Sequence, residues 1–344
     1  MVEPTDSTGK AREPSPRLIL DSINAYQRSA ALKAAVTLDV FSAIAAGAVT
    51  PAAIAAVSGA DARALRILCD YLVVAGFLVK ADGRYGLTAD CAHFLDRSSP
   101  AYIGAVVDFL GLPAHMACFA DLADTVRRGG APPGQSDQMT PSHPVWVDFA
   151  RAMGAMRAQH AERLAELLAV ADRPALRILD VACGHARYGI ALARRQAAAE
   201  MTALDWPNVL AVAEENAVAA GLGQRFHLLP GDAGTVAFGE GYDIILLTHF
   251  LNMLGPADVD RLLTRTRAAL APGGQAVIVD YMPGEDRVSP PYAAMFALMM
   301  LGTTPSGDSR TAAEYEAALR RAGFSGWKAA SLPPAEEQIL VARR

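Results

Sequence analysis

Paired cysteines are missing from this chain. Cys69, Cys91, Cys118 and Cys183 are scattered through 344 residues at no bridging or metal-ligand spacing. That excludes a disulfide framework and leaves reduced thiols, as expected of a cytoplasmic protein. His93, His115, His143, His160 and His227 are equally dispersed, so no metal site is expected. An excess of basic charge is missing as well: 31 Lys and Arg stand against 36 Asp and Glu, for a net charge of -5. A nucleic-acid partner would ask for a basic face. No apolar run reaches the ~18 residues of a membrane span. The longest, Tyr292 to Leu301, fits a buried helix. The opening MVEPTDSTGKAREPSP lacks the apolar core of a signal peptide, and it reads as a disordered tail over residues 1–16.

What the chain does have is apolar residues, 52% of the total, enough for a sizeable core and two ordinary domains. It is organised around LRILDVACGHARYGIALA, Leu176 to Ala193. A short apolar run ends on Asp180, and a small-residue turn, Ala182-Cys183-Gly184, follows. A helical pattern then starts with Tyr188, Ile190 and Leu192. This is the opening βα unit of an α/β sheet, whose turn aims bare N–H groups at a ligand. The next strand candidate, Glu200 to Leu204, ends on Asp205. An acidic residue at that distance from the first turn suits the two hydroxyls of a ribose. Pro207 opens the next helix, where its missing N–H is tolerated.

Residues 17–48 read as one long helix, with Leu18, Ile19, Ile23, Tyr26, Leu32, Leu38 and Phe41 near helical spacing. Thr50-Pro51 starts a second helix. Asp61 caps a third, which stops at Gly76, and two short strands then flank an Ala-Asp-Gly turn. The pattern is a winged helix. Its third helix is built on Leu65, Ile67, Leu68, Leu72, Val73 and Val74 rather than on polar reach into a groove, so dimerisation suits it better than DNA binding. Gly129 to Ser142 reads as a linker, and a helix from about His143 to Leu168 puts Phe149, Met153 and Met156 on one face. Beyond it strands and helices alternate to the end. Such alternation gives a doubly wound, mostly parallel sheet. The last two strands, Gly326 to Leu332 and Glu337 to Ala342, are joined too closely for both to run parallel, so one is expected antiparallel.

Asp180 with Gly184, Asp205, Gly231-Asp232 and Thr248 to Asn252 each follow a strand, and all should gather at the carboxyl edge of the sheet. These motifs, with LDWP, PGDA, YDIILLTHFLN, APGG and SGDSRT…AGF, resemble the S-adenosylmethionine-dependent O-methyltransferases of the plant caffeate/flavonoid type and their bacterial natural-product relatives. The resemblance covers residues 17–344. It implies a winged-helix dimerisation domain over 17–100, a helical connector and acceptor-pocket wall over 101–170, and a Rossmann-like methyltransferase domain over 171–344. It implies S-adenosyl-L-methionine as cofactor, a homodimer, and a small hydrophobic or aromatic acceptor, with no nucleic-acid or membrane partner. Asp180 and the turn through Gly184 would hold the methionine end. Asp205 would take the ribose, with Trp206 beside it. Asp232 and Ala233 would flank the adenine, and Thr248 and His249 would border the cofactor. Phe149 and Met153 would wall the site. Met156, Met295, Met299 and Met300, with Asn252, would line the acceptor pocket.

Two departures from the pattern stand out. The family's Gly-rich turn carries Ala182, Cys183 and Ala186 here, and the family's catalytic His position holds Asn252. Of the two supporting acidic positions, Asp280 is retained and Ser309 is not. An amide accepts no proton at neutral pH. His249, on the same segment, is the nearest substitute base. His249, Asn252 and Asp280 are therefore the candidate catalytic residues. Methyl transfer to oxygen is what the family implies. Carbon methylation, or another reaction on the same cofactor, is the alternative that Asn252 raises. A nicotinamide oxidoreductase fits less well, because residues 182–187 lack GxGxxG. A winged-helix regulator is opposed by the acidic charge.

Overall fold

The computed structural model describes residues 14–132, 140, 142–173, 175–333 and 335–344; most of the expected tail lies outside them. The chain divides after Gly111 into two compact units.

The first unit runs α1 (Arg17–Thr37), α2 (Val40–Ala45), α3 (Pro51–Ser58), α4 (Ala62–Val74), β1 (Leu78–Ala81), β2 (Arg84–Leu87), α5 (Ala89–Phe94) and α6 (Gly104–Leu110). The single helix expected over 17–48 is broken. Asp39 takes a left-handed φ of +55°, a conformation short polar residues tolerate. Arg97 Nε holds its carboxylate at 2.9 Å. The break turns Val40, Phe41 and Ile44 into a core that also holds Ile54, Leu65, Cys69 and Leu72. Thr50 and Asp61 cap α3 and α4 by accepting the N–H groups of Ala53 and Ala64. On α4, Arg66 is tied to Asp70 at 3.0 Å rather than presented to a groove. The first half of α1 is the reverse of a core helix: Leu18 is 79% exposed, and Ile19, Ile23 and Tyr26 are exposed with it.

The second unit opens with α7 (Pro113–Ala117), α8 (Leu122–Arg128) and the long α9 (Val145–Leu167). There follow β3 (Arg177–Val181), α10 (Arg187–Arg195), β4 (Glu200–Asp205), α11 (Pro207–Ala219), β5 (Phe226–Pro230), β6 (Tyr242–Thr248), α12 (Pro256–Ala269) and β7 (Leu270–Asp280). The unit closes with α13 (Pro291–Thr303), α14 (Ala312–Arg321), β8 (Gly326–Ser331) and β9 (Gln338–Arg343). Among the described residues the sheet order is β5-β4-β3-β6-β7-β9-β8. β9 runs antiparallel to both neighbours, and the pairs from β5 to β7 are parallel. The sheet is thus doubly wound, as alternation alone implied. β7 starts earlier than its apolar run, at Leu270, across an irregularity opposite Tyr242/Ile244.

Two apolar layers sandwich the sheet. One holds Leu164, Ile178, Tyr188, Leu192 and Met201, and the other Leu179, Ile245, Leu263, Ile278 and Tyr315. Alternate residues of each strand feed opposite layers, which fixes the register. In β3 that register pairs Val181 with both Leu204 and Leu247. The chain order reverses direction at β3, between β4 and β6. Such a switch point leaves a crevice at the carboxyl ends of the strands.

Candidate active site

The first wall of the crevice is the turn after β3. Ala182, Gly184 and Ala186 all take left-handed φ, at +53°, +52° and +56°. Glycine adopts this freely, whereas each alanine costs about 1–2 kcal/mol there. The family's glycine positions are thus held in their backbone shape by a less suitable residue. Gly184 faces open space: a Cβ placed on it would meet no atom within 4 Å. Beneath the turn Asp180 is fully buried. Its Oδ2 accepts the Gly189 N–H at 3.1 Å, while Oδ1 is buried without a partner. Burial pushes the Asp180 carboxyl up to about 8, against the Gly189 bond, and nearby Asp205 adds to the rise. A buried carboxylate with a spare oxygen is the kind of group a cationic, hydrogen-bond-donating ligand satisfies.

Asp205, at the end of β4, braces the turn from the side. Its Oδ2 accepts the Gly184 N–H at 2.8 Å and its Oδ1 the Trp206 N–H at 2.7 Å. Burial raises this carboxyl to about 6, opposed by those two bonds. After β5, Asp232 is exposed and folds its own turn by accepting the Gly234 N–H at 2.7 Å. Ala233 beside it is buried. Thr248 ends β6 and is buried, next to His249 at φ +53°. On α9, Met153 is buried, Phe149 half-buried against Trp146, and Met156 at the rim with 36% exposure. Gly154 packs near His185, so α9 runs beside the turn. Asp180, Gly184, Asp205 and Thr248 therefore meet at one edge through strand register, as their positions after strands implied. On α13, Met295 is exposed, Met299 half-buried and Met300 buried.

Asn252 and Asp280 form a separate, fully interior pair. Asn252 Nδ2 donates to Asp280 Oδ1 at 2.7 Å, and Tyr315 Oη donates to Asp280 Oδ2 at 2.7 Å. The Tyr281 N–H supplies a third bond at 2.8 Å. With both oxygens engaged and no exposed surface, Asp280 orients Asn252. Burial raises its carboxyl to about 6, against the Asn252 and Tyr315 bonds. The same bond fixes the amide: with Nδ2 on Asp280, the Asn252 Oδ1 is left as a buried acceptor without a partner, and Ser309 Oγ is likewise unpartnered. Arg310 braces this corner by donating to the Leu251 carbonyl at 2.8 Å.

Sequence reasoning named only His249 of a third group and passed over its partners. Arg157 pairs with Glu337 and donates to Tyr281 Oη at 2.7 Å. Tyr188 Oη lies 2.9 Å from His160 Nδ1 and 3.4 Å from His249 Nε2. These residues come from α9, α10 and the ends of β6, β7 and β9. The only signal available was that Arg157 and His160 share a face of α9 with Met153, at helical spacing.

The fold, with two carboxyls at a strand switch point, defines a class, the doubly wound Rossmann-like proteins whose ligand crevice lies at the carboxyl edge of the sheet. Comparison with known proteins places the chain within it. Residues 120–325 match the model of the O-methyltransferase domain and residues 20–97 that of the O-methyltransferase dimerisation domain. The chain is 28% identical over 315 residues to 3-hydroxy-5-methyl-1-naphthoate 3-O-methyltransferase of Streptomyces sahachiroi, covering 90% of each. It is 28% identical over 334 residues to acetylserotonin O-methyltransferase of Mus musculus molossinus, covering 90% of this chain and 84% of that one. The solved structure of a candidate O-methyltransferase of Nostoc punctiforme superposes with a TM-score of 0.92 at 43% identity, covering 97% of this chain and all of that one. The chain belongs to the O-methyltransferase family, whose methyl donor is S-adenosylmethionine. It is a methyltransferase of that cofactor class.

Proposed function

We propose that this protein methylates a small, hydrophobic and aromatic acceptor, and that it does so with no histidine at the family's base position. The observation that carries the reading is the Asp180–Gly184–Asp205 arrangement. A buried carboxylate with a spare oxygen, an open left-handed turn and a second carboxylate stand at one strand switch point. These groups fit S-adenosylmethionine. Asp180 and the turn would hold the methionine end, Asp205 with Trp206 the ribose, Asp232 and Ala233 the adenine. Thr248, Phe149 and Met153 would close the cofactor's edge. When bound, the cofactor supplies an electrophilic methyl group on a sulfonium.

The chain's own work is then orientation. Asn252 Oδ1, fixed by Asp280, accepts the hydrogen of an acceptor hydroxyl but does not take its proton. A general base is worth about 10²–10⁴ in rate. Holding two reactants in line supplies an effective molarity of about 10⁵ M or more. Transfer therefore survives the loss of the base for a nucleophile that ionises readily, such as an acidic phenol or an enol. Asn252 equally favours a carbon nucleophile as the second reading. The naphthoate named in one relative supports a flat aromatic acceptor. Met156, Met295, Met299 and Met300 would line its pocket, where thioethers adapt to irregular shapes. The first unit serves as the dimerisation module, a role supported by the exposed apolar face of α1 and by the family match. Sedimentation showing monomer alone at micromolar concentration would refute it. Four unpaired, buried cysteines are in keeping with the cytoplasmic setting we propose.

Calorimetric titration with S-adenosylhomocysteine tests the core of this reading. The intact protein should bind at micromolar affinity or better. Asp205→Ala removes charged hydrogen bonds of about 1.5–3 kcal/mol and should weaken binding some ten- to hundredfold. Unchanged affinity in that variant would refute the assignment. A product heavier than its acceptor by one methyl group then separates methyl transfer from any other reaction.

A further inference from the structure

His249 is the first residue past β6, and its backbone N–H is held by the Val279 carbonyl at 2.8 Å. Its ring is surrounded by six titratable groups: Tyr188 on α10, Arg157 and His160 on α9, His185 in the turn, Tyr281 after β7 and Glu337 before β9. Nε2 lies 3.4 Å from Tyr188 Oη and 3.9 Å from a Glu337 carboxylate oxygen. A lone pair on Nε2 would face that carboxylate, so the proton belongs there. With the proton so assigned from Glu337, His249 Nε2–H would donate to Tyr188 Oη, and Tyr188 in turn to His160 Nδ1 at 2.9 Å. What remains is His249 Nδ1, a lone pair that is buried and without a partner. Burial, joined by the charge of Arg157, holds the ring neutral. So weak a base stores no proton well, but it accepts a hydrogen bond at every physiological pH. The ring also lies 5.4 Å from that of Tyr281, which in turn meets Tyr292 and Phe296 of α13 at 4.7 and 4.8 Å. That is the helix assigned to the acceptor pocket.

We propose that His249 Nδ1 is a specificity-determining hydrogen-bond acceptor, preset by Glu337 and the Tyr188–His160 chain, and that it docks a second hydroxyl of an aromatic acceptor, one that is not itself methylated. Tyr188 acts as a positioning residue. The assignment rests on the methyltransferase reading and selects for a polyhydroxylated ring system. The hydroxyl at Asn252 receives the methyl group, and the one at His249 sets the ring's rotation in the pocket.

Two measurements on the full chain loaded with S-adenosylhomocysteine test it. Heteronuclear NMR of the imidazole nitrogens should show His249 neutral and protonated on Nε2 between about pH 5 and 8. A proton on Nδ1 would overturn the proposal. Tyr188→Phe should perturb that tautomer while leaving affinity for S-adenosylhomocysteine in place. In the second measurement, a naphthalenediol should bind about tenfold tighter than the naphthol with one hydroxyl fewer, the worth of one neutral hydrogen bond. His249→Leu should erase that margin. His249→Asn should keep it, because the amide oxygen reaches the Nδ1 position and Asn tolerates a left-handed backbone. Equal affinities in the wild type, or no binding of either ring, would overturn the docking assignment. Weakened S-adenosylhomocysteine binding in His249→Asn would place the lone pair on the cofactor and overturn it too. Failure of the wild type to bind S-adenosylhomocysteine at all would instead sink the methyltransferase reading.

Discussion

At the scale of single residues, the proposed chemistry turns on Asn252. Its amide is locked by Asp280, which Tyr315 and the Tyr281 N–H lock in turn. On the proposed reading, the Asp280 half of a base's supporting frame is built, Ser309 stands at the other half, and the base itself is replaced by an acceptor of hydrogen bonds. Asn252→His would restore a proton acceptor against an oriented carboxylate, as in other oriented-base sites. For an acceptor hydroxyl of ordinary phenol acidity, we expect turnover to rise by about 10²-fold or more. The gain should be largest above neutral pH, where the new imidazole is free. Measured rates of methyl transfer across pH for the two proteins check this. No gain for any hydroxyl acceptor would favour the carbon nucleophile. Asn252 was legible in the sequence because its neighbours THFL and ML fixed its place. Tyr315 was not, because a tyrosine four residues into a capped helix reads only as core.

At the scale of elements, the site depends on how closely α10 approaches β3 and β4. Gly189 sits in the first turns of α10, its N–H on Asp180. A Cβ there would lie 2.2 Å from Met201 Cε and 3.0 Å from Asp180 Oδ2. Gly189→Ala would displace the buried Met201 thioether and crowd the Asp180 carboxylate. Overpacking of this kind costs about 1–3 kcal/mol. We expect a lower midpoint in urea together with weaker S-adenosylhomocysteine binding, because the substituted residue is also the one that orients Asp180. A variant as stable as the parent, with unchanged affinity, would show that α10 is not held so tightly. Most elements were readable from their own signals: Thr50-Pro51, Asp61, Pro207, and the Thr311–Glu314 capping box that the structure confirms on both of its bonds. The break at Asp39 was not, since periodicity carries across a single left-handed residue and only the packing of Phe41 and Ile44 requires the turn.

At the scale of the whole molecule, three desolvated carboxyls act together, Asp180 and Asp280 buried and Asp205 half-buried. Asp180 is raised to about 8, and Asp205 and Asp280 to about 6. Unfolded, such groups titrate near ~3.9. The folded protein therefore binds more protons than the unfolded chain between those values. Their contribution to stability is fully present below about pH 4 and is lost as pH rises through 6 and then 8. Opposing terms act at low pH elsewhere on the surface, so the informative quantity is the difference made by ligand. We expect the stabilisation given by S-adenosylmethionine, read as a thermal shift, to grow from pH 5 to pH 8. Its cationic end and hydroxyls would meet carboxylates that are charged and hold no counter-charge of their own, one of them with a free oxygen on Asp180. A shift independent of pH would mean that Asp180 and Asp205 do not face the cofactor.

The sequence by itself determined the alternation of strands and helices, and with it the doubly wound sheet and the edge where Asp180, Gly184, Asp205 and Thr248 gather. Asp180, Asp205 and Thr248 each close an apolar run and Gly184 lies in the turn after the first, and parallel strands bring their carboxyl ends to one side. Only the tertiary structure decided the polar interior. Arg157 and Glu337 are 180 positions apart. Glu337 reaches the site because β9 turns back antiparallel beside β7. His249 meets Tyr188 because parallel pairing of β3 with β6 sets the start of α10 against the end of β6. Such contacts depend on register between distant strands and on rotamers chosen by packing, and no local pattern records either.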